Sequence, residues 1–368
     1  MIEILMPVRS FMKNSRFCID NVVFRLHYRV TVTMLLVFCV IITSKQFFGE
    51  PMQCKGNLES IGLTYVNTYC WNYGTYTLKS ALKGTQGKHF PYPGVGNPKG
   101  EEDVVHHVYY QWVCFVLCGQ ACMFYIPRFL WRSWEGGLLP ALAKDLDMPI
   151  PPPEWEDTRR ELVEYLTRGN PCCHMLYVMR YCFCEILNLV NVVGQIFLLN
   201  IFLGGGFSDY GRAVASFNSH IPLNTKDFDL DNISPMDKYF PKMTACKFYQ
   251  YGDSGTIVNQ DFLCILTLNI LNEKIFVLLW FWLIFLTFIS GLSVIFRVLT
   301  FCLIPLRMLL TLGQLRFAKY RMACKIVRRF SFGDWYVLYL LGKNMNTFLF
   351  KELMLELCKE INRKDIMV

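Results

Sequence analysis

Residues 109–126 read Tyr-Tyr-Gln-Trp-Val-Cys-Phe-Val-Leu-Cys-Gly-Gln-Ala-Cys-Met-Phe-Tyr-Ile, with no charged side chain among them. A span needs about 20 apolar residues to cross a hydrocarbon core of about 30 Å. With Val108 included, this run meets that length. Its head carries Tyr109, Tyr110 and Trp112, rings with one apolar face and one polar tip, the residue type favoured at a membrane–water boundary. Three more charge-free stretches follow the same logic: Val30–Ser44, Ile186–Ser208 and Ile275–Phe296. The first has only 15 uncharged residues, but His27 and Arg29 sit at its inner end, where Arg reaches back to headgroups, and Leu26 to Phe48 is long enough. The expected fold class is therefore an all-α membrane protein with four transmembrane helices, at 21–48, 105–131, 177–203 and 273–297.

Composition agrees with that reading. The chain is 53% hydrophobic and 15% aromatic with a mean hydropathy of +0.29, too apolar for an ordinary soluble domain. The first run follows some polar chain and no small-residue cleavage site follows Ser44, so it reads as an anchor and not as a cleaved signal. Basic residues near span ends set the orientation. Arg9, Lys13, Arg16, Arg25 and Arg29 precede the first span, and Arg128, Arg132, Arg159, Arg160 and Arg168 follow the second. The tail after the fourth is the most basic piece, from Arg297 and Arg307 through Arg316, Lys319, Arg321 and Lys325 to Arg328 and Arg329. Both termini and the middle loop (132–176) are thus expected in the cytoplasm of a multi-pass plasma-membrane protein. The net charge of +8 then favours anionic lipid of the inner leaflet, with nucleic acid a poor alternative partner.

The loops at 49–104 and 204–272 are then extracellular. They hold Cys54 and Cys70, and Cys246 and Cys264. An oxidising exterior and an even count predict disulfides, but four cysteines allow three pairings and spacing does not choose among them. Cys114, Cys118 and Cys122 share one face of the second helix and read as packing, since apolar thiols without a nearby His make a poor metal site. Cys172-Cys173 reads as small hydrophobes or as a palmitoylation site. Asn232-Ile233-Ser234 is the sequon of the second loop, its use disfavoured by Pro235. A glycan there would hinder two loops from meeting.

The segment 1–20 is amphipathic after Pro7, with Val8, Phe11 and Met12 on one side and Arg9, Lys13 and Arg16 on the other. Asp20 is expected to cap the first span. Glu185, Asn188, Asn191 and Gln195 form one stripe of the third span, suited to interhelical hydrogen bonds or to a wet vestibule. His106-His107 reads as wetted interfacial side chains, or as a pH sensor near neutrality. Gly204-Gly205-Gly206 reads as a flexible helix exit. Glu154–Glu164, after the Pro149–Pro153 linker, reads as a solvated helix. No nucleophile motif, metal spacing or nucleotide fingerprint occurs, so neither enzymatic activity nor a cofactor is expected.

Tyr109-Tyr110-Gln111-Trp112-Val113, followed by Pro127-Arg128-Phe129-Leu130-Trp131-Arg132, closely resembles the innexins, the invertebrate gap-junction proteins. Further blocks resemble them in the same order: Val23-Phe24-Arg25-Leu26-His27-Tyr28; Phe240-Pro241-Lys242-Met243-Thr244 through Cys264 to Trp282; and Gly333-Asp334-Trp335 with Leu340-Leu341-Gly342-Lys343-Asn344. The resemblance implies an octameric ring around a wide pore, docked to a ring on the neighbouring cell and passing ions and small metabolites. Other innexins are implied as further partners. It also implies bridges Cys54–Cys264 and Cys70–Cys246, and a pore mouth narrowest near Met1, Ile2, Glu3, Leu5 and Val8. The tail 298–368 and the middle loop should form a helical cytoplasmic dome, with Pro140 a departure from the family pattern that bears on its local shape. An undocked pore releasing ATP is the alternative, and a tetraspan adhesion or scaffold protein a more distant one. Loss of chain beyond Lys351 is expected to matter little.

Overall fold

The computed structural model describes residues 17–56, 62–82, 91–96, 103–148, 153–168, 171–217, 234–315 and 320–367. Met1, Ile2, Glu3, Leu5 and Val8 lie outside the described residues, as does Asn232. Helix α1 runs Val22–Phe48 and is π-helical over Leu26–Thr31. The first long loop then contains β1 (Gln53–Lys55), α2 (Leu63–Tyr73), β2 (Thr75–Leu78) and β3 (Val104–His107). Next come α3 (Val113–Glu135), α4 (Leu138–Leu142), α5 (Trp155–Arg168) and α6 (Pro171–Phe202). The second long loop holds α7 (Phe207–Ser216), α8 (Pro235–Tyr239), β4 (Met243–Tyr251) and β5 (Ile257–Ile265). Helix α9 (Thr267–Cys302) leads into α10 (Ile304–Gln314), α11 (Tyr320–Arg329), α12 (Phe332–Asn344) and α13 (Thr347–Met367).

Among the described residues, four helical stretches are long and apolar enough to cross a membrane: Val22–Phe48, Val113–Glu135, Cys172–Phe202 and Thr267–Cys302. The charge-free runs mark their hydrocarbon-length parts and not their ends. Helix α6 has 32 residues and α9 has 36, about 48 and 54 Å at 1.5 Å per residue, well beyond a core of about 30 Å. Helix α3 likewise passes through Pro127 and continues to Glu135.

The chain divides into two compact units whose boundaries fall inside these four helices. The loop unit comprises residues 34–122 and 192–285, and the tail unit 1–33, 123–191 and 286–368. In the loop unit the strands form one antiparallel sheet in the order β1-β5-β4-β2-β3. Strands β4 and β5 pair along their whole lengths, from Met243 opposite Ile265 to Tyr251 opposite Ile257. Gly252 N–H donates to Thr256 O at 2.8 Å and Gly255 takes φ +77°, the left-handed conformation that a tight hairpin needs and glycine adopts without strain. At the exit of α6, Gly204 and Gly205 take φ +66° and +89°. A Cβ on Gly206 would lie 2.1 Å from the Tyr239 ring, so the triplet is a defined turn with a close contact, where flexibility was expected.

The tail unit is helical. Its core joins Trp131, Tyr181, Trp335, Tyr336 and Phe350 with leucines of α5, α12 and α13. Helix α12 is buried on nearly every side, and α5 turns Leu162, Val163 and Leu166 inward, so only its other face is solvated. Glu135 accepts from the N–H groups of Gly137 and Leu139, both at 2.8 Å, capping α4. Pro140 then falls in the first turn, where its missing N–H leaves nothing unpaired. The chain beyond Lys351, whose loss was expected to matter little, is packed into this core: Leu353, Met354, Leu357 and Ile361 of α13 are core residues, and Glu352 accepts from Trp155 Nε1 at 2.6 Å.

Candidate functional site

The loop unit is organised around four cysteines. Cys54 on β1 stands opposite Cys264 on β5 in the strand register, and their sulfurs are 2.05 Å apart. Cys70, in the last turn of α2, is joined to Cys246 on β4 with sulfurs 1.97 Å apart. Each bridge therefore runs from the first long loop to the second. Cys54, Cys70 and Cys264 have sulfurs within 4.8 Å of one another, so the two bridges are adjacent. All three sulfurs are spent in disulfides and offer no thiolate to a metal. Met52, Val66, Tyr110, Phe248, Phe262 and Leu266 bury the pair.

The five-residue string at the head of α3 belongs to this core. Tyr109–Gln111 form a single 3₁₀ turn before Val113 starts the helix. The Tyr110 ring is fully buried 4.7 Å from that of Trp71, and burial pushes its hydroxyl up to about 12. Tyr109 packs edge-on to Phe240 at 5.8 Å and donates to Tyr239 O at 3.4 Å. Gln111 Nε2 donates to the carbonyl of Trp71 at the end of α2. Val113 is buried and only Trp112, at 59% exposure, is presented outward. An aromatic belt thus describes Trp112 alone; Tyr109, Tyr110 and Gln111 knit the two loops to the second span.

His106 and His107 part company. His106 is exposed, whereas His107 is buried with its Nε2 2.7 Å from Thr77 Oγ1 across the β2–β3 pair. Desolvation, reinforced by the neighbouring His106, lowers its pKa to about 4. It is neither a wetted tip nor a sensor near neutrality.

In the tail unit, four consecutive residues entering α1 are clasped. Asn344 accepts from Cys18 N–H at 2.5 Å and donates to Cys18 O at 3.1 Å. Trp131 Nε1 donates to Ile19 O at 3.2 Å. Asp20 pairs with Arg25 at 2.8 Å and Arg128 at 2.9 Å. With its carboxylate so engaged, Asp20 does not cap α1; Asn21 does, accepting from Phe24 N–H at 2.6 Å. Asn21 also donates to Glu185 Oε1 at 2.7 Å. Glu185 in turn takes both prongs of the Arg297 fork at 2.8 and 2.9 Å, and Arg297 lies between the rings of Tyr181 and Tyr336 at 5.1 and 4.9 Å. The third-span stripe therefore splits: Glu185 bonds between helices, whereas Asn188 is buried with neither side-chain atom hydrogen-bonded to a described residue.

Comparison with known proteins decides what this arrangement belongs to. The innexin family model matches residues 20–361. Innexin inx2 of Drosophila melanogaster is 43% identical over 364 residues, covering 98% of this chain and 96% of that one. Innexin inx2 of Schistocerca americana is 40% identical over 367 residues, the full length of both chains. Innexin shaking-B of Drosophila melanogaster is 42% identical over 365 residues, 98% of this chain and 95% of the other. The chain belongs to the innexin family. Innexins are gap-junction channel subunits, and an intercellular channel subunit is what this multi-pass membrane protein is.

As an innexin, its tail block acquires a physical reading. A Cβ on Gly333 would stand 2.5 Å from Met175 N, so only glycine lets α12 meet the backbone of α6 there. Asp334 holds His174 Nδ1 at 2.6 Å, and Trp335 Nε1 donates to Thr311 Oγ1 at 3.0 Å. Hydrogen bonds from His174 and Ser331 hold Asp334 below the usual carboxylate range despite its burial. Sequence reading missed Asn344 and Arg297 as positioning residues of this innexin. Arg297 had a signal: an intramembrane Glu185 requires a cation at its own depth, and Arg297 closes the fourth run. Asn344 was marked only as the last residue of the Leu340–Asn344 block, with no sign of its role, since its partner is backbone 326 residues away.

Proposed function

We propose that the channel is a ring of this chain, or of this chain with other innexins, docked end to end with a ring on the apposed cell through the loop unit. Both termini face the cytoplasm, and segment 1–20 lies at the inner pore mouth with Met1, Ile2, Glu3, Leu5 and Val8 nearest the constriction. The observation that carries the docking reading is the pair of adjacent bridges, each joining the first loop to the second. Two separate loops would have to be ordered when cells meet, at about 1–2 kcal/mol per residue fixed. A cross-linked five-stranded sheet meets that cost during folding and presents a preformed surface. Asn232, without a glycan, leaves that surface clear. The chemistry is passage of solute and needs no catalytic group.

The test is junctional conductance between paired cells that lack coupling of their own, both expressing the chain. Current between the cells is expected. Dye-permeable conductance in single cells, with none between pairs, would replace the docked channel with an undocked pore.

A further inference from the structure

A cavity of about 10 Å³ lies inside the tail unit where α1, α6 and α9 meet, and its polar lining is Asn21, His27, Glu185, Asn188, Ser290 and Ser293. Most of these groups are already engaged. Glu185 is taken by Asn21 and by the Arg297 fork, and Asn21 also donates to Ser293 Oγ at 3.1 Å. Ser290 gives its one hydrogen to Leu286 O at 2.6 Å, so in its 2.7 Å contact with His27 Nε2 the ring is the donor. A neutral ring then carries its lone pair on Nδ1, whereas a charged ring would be an unpaired cation buried between helices.

Two of the lining residues have hydrogen-bonding capacity left. His27 is fully buried and its Nδ1 bonds to none of the described residues; Asn188 is 3% exposed and neither its Nδ2 nor its Oδ1 does. Orphaned groups of this kind are costly, and buried polar atoms are as a rule paired with protein or with ordered water. His27 belongs to the π-helical turn Leu26–Thr31, a winding that recurs where helices serve function.

Size and chemistry together select the ligand. The volume sits at the threshold of about 10–15 Å³ for holding one water and far below that of small-molecule sites. A cation could satisfy Asn188 Oδ1 but not Nδ2, and the carboxylate in the lining is already balanced by Arg297. Water both accepts and donates, so it can serve the amide and the ring lone pair at once.

We propose that this cavity binds a single water molecule, held by the Asn188 amide and His27 Nδ1, and that the water joins α6 to α1 among the spans. The full chain, labelled with ¹⁵N at Asn and His, is placed in lipid bilayers for solid-state NMR. Magnetisation should pass from water to the Asn188 side-chain amide, a resonance assigned by its loss in Asn188→Leu and its shift in Asn188→Gln.

Stability supplies a second readout with opposite signs for a wet and a dry cavity. Asn188→Leu expels the water and strands His27 Nδ1, so its melting temperature should fall below that of the parent; adding His27→Phe should recover part of the loss, because the two residues share one ligand. In a dry cavity the same Leu removes two orphaned groups at nearly constant volume and raises the melting temperature. No transfer to the Asn188 amide, or a higher melting temperature for Asn188→Leu, would overturn the assignment. A parent melting temperature that falls when sodium is replaced by choline at equal ionic strength would also overturn it, in favour of a bound cation.

Discussion

His107 gives the loop unit a pH dependence of definite sign. Its folded pKa is lowered to about 4 from an ordinary 6.5. Between these values the unfolded chain binds a proton that the folded chain excludes, so stability is fully present above pH 6.5 and falls as pH drops toward 4. The loss is on the order of 3 kcal/mol at about 1.4 kcal/mol per unit. Protection factors of the β2 and β3 amides, taken against the intrinsic exchange rate at each pH, should therefore fall between pH 6.5 and 4 in the parent protein, and much less in His107→Gln. Equal loss of protection in both would contradict the assignment. Gly333 makes a second residue-scale prediction. Gly333→Ala forces a methyl to within 2.5 Å of backbone nitrogen, and an overpacking cost of about 1–3 kcal/mol should appear as a lower melting temperature. Neither residue's role was legible beforehand. The burial of His107 depends on which strand pairs with β3, and that of Gly333 on a contact with α6, whereas the sequence offered only neighbours.

At the scale of elements, the four spans were legible because hydrocarbon length imposes a long, charge-free run on the chain. The sheet was not. Residues 257–265 of β5 read Ile-Val-Asn-Gln-Asp-Phe-Leu-Cys-Ile, with no strict alternation, because the strand is exposed over its first half and buried only toward its end. A hairpin signal was nevertheless present in the turn from Gly252 to Gly255 between two long stretches rich in aromatic and β-branched residues. The α1 cap was misplaced by one residue, since Asp and Asn are equally good caps and only the ion pairs of Asp20 distinguish them. The clasp on residues 18–21 predicts that Asn344→Leu, which removes both hydrogen bonds to Cys18, speeds exchange of the Cys18 amide about tenfold or more. Unchanged exchange would show that Trp131 and Asp20 hold the segment by themselves. Between spans, Glu185→Leu or Arg297→Leu alone should destabilise by about 3–5 kcal/mol, because each strands a buried charge, whereas the double substitution should cost much less. Thermal melts of the three variants provide the cycle.

At the scale of the molecule, the membrane-spanning part and the loop part differ in how far sequence specifies them. Membrane class, helix count and family followed from the apolar runs and the motif blocks. The loop pairing could not follow from spacing, because four cysteines admit three arrangements and only the strand register sets Cys54 beside Cys264. The role of the chain end also required the fold: truncation after Lys351 removes four core side chains of α13 and should abolish surface expression, where sequence alone suggested tolerance. If cross-linked loops form the surface by which two rings meet, junctional conductance in cell pairs expressing Cys70→Ser, at surface density matched to the parent chain, decides the matter. Current between the cells should be lost. Coupling equal to that of the parent would contradict it, because the rim would then dock without the bridge between Cys70 and Cys246.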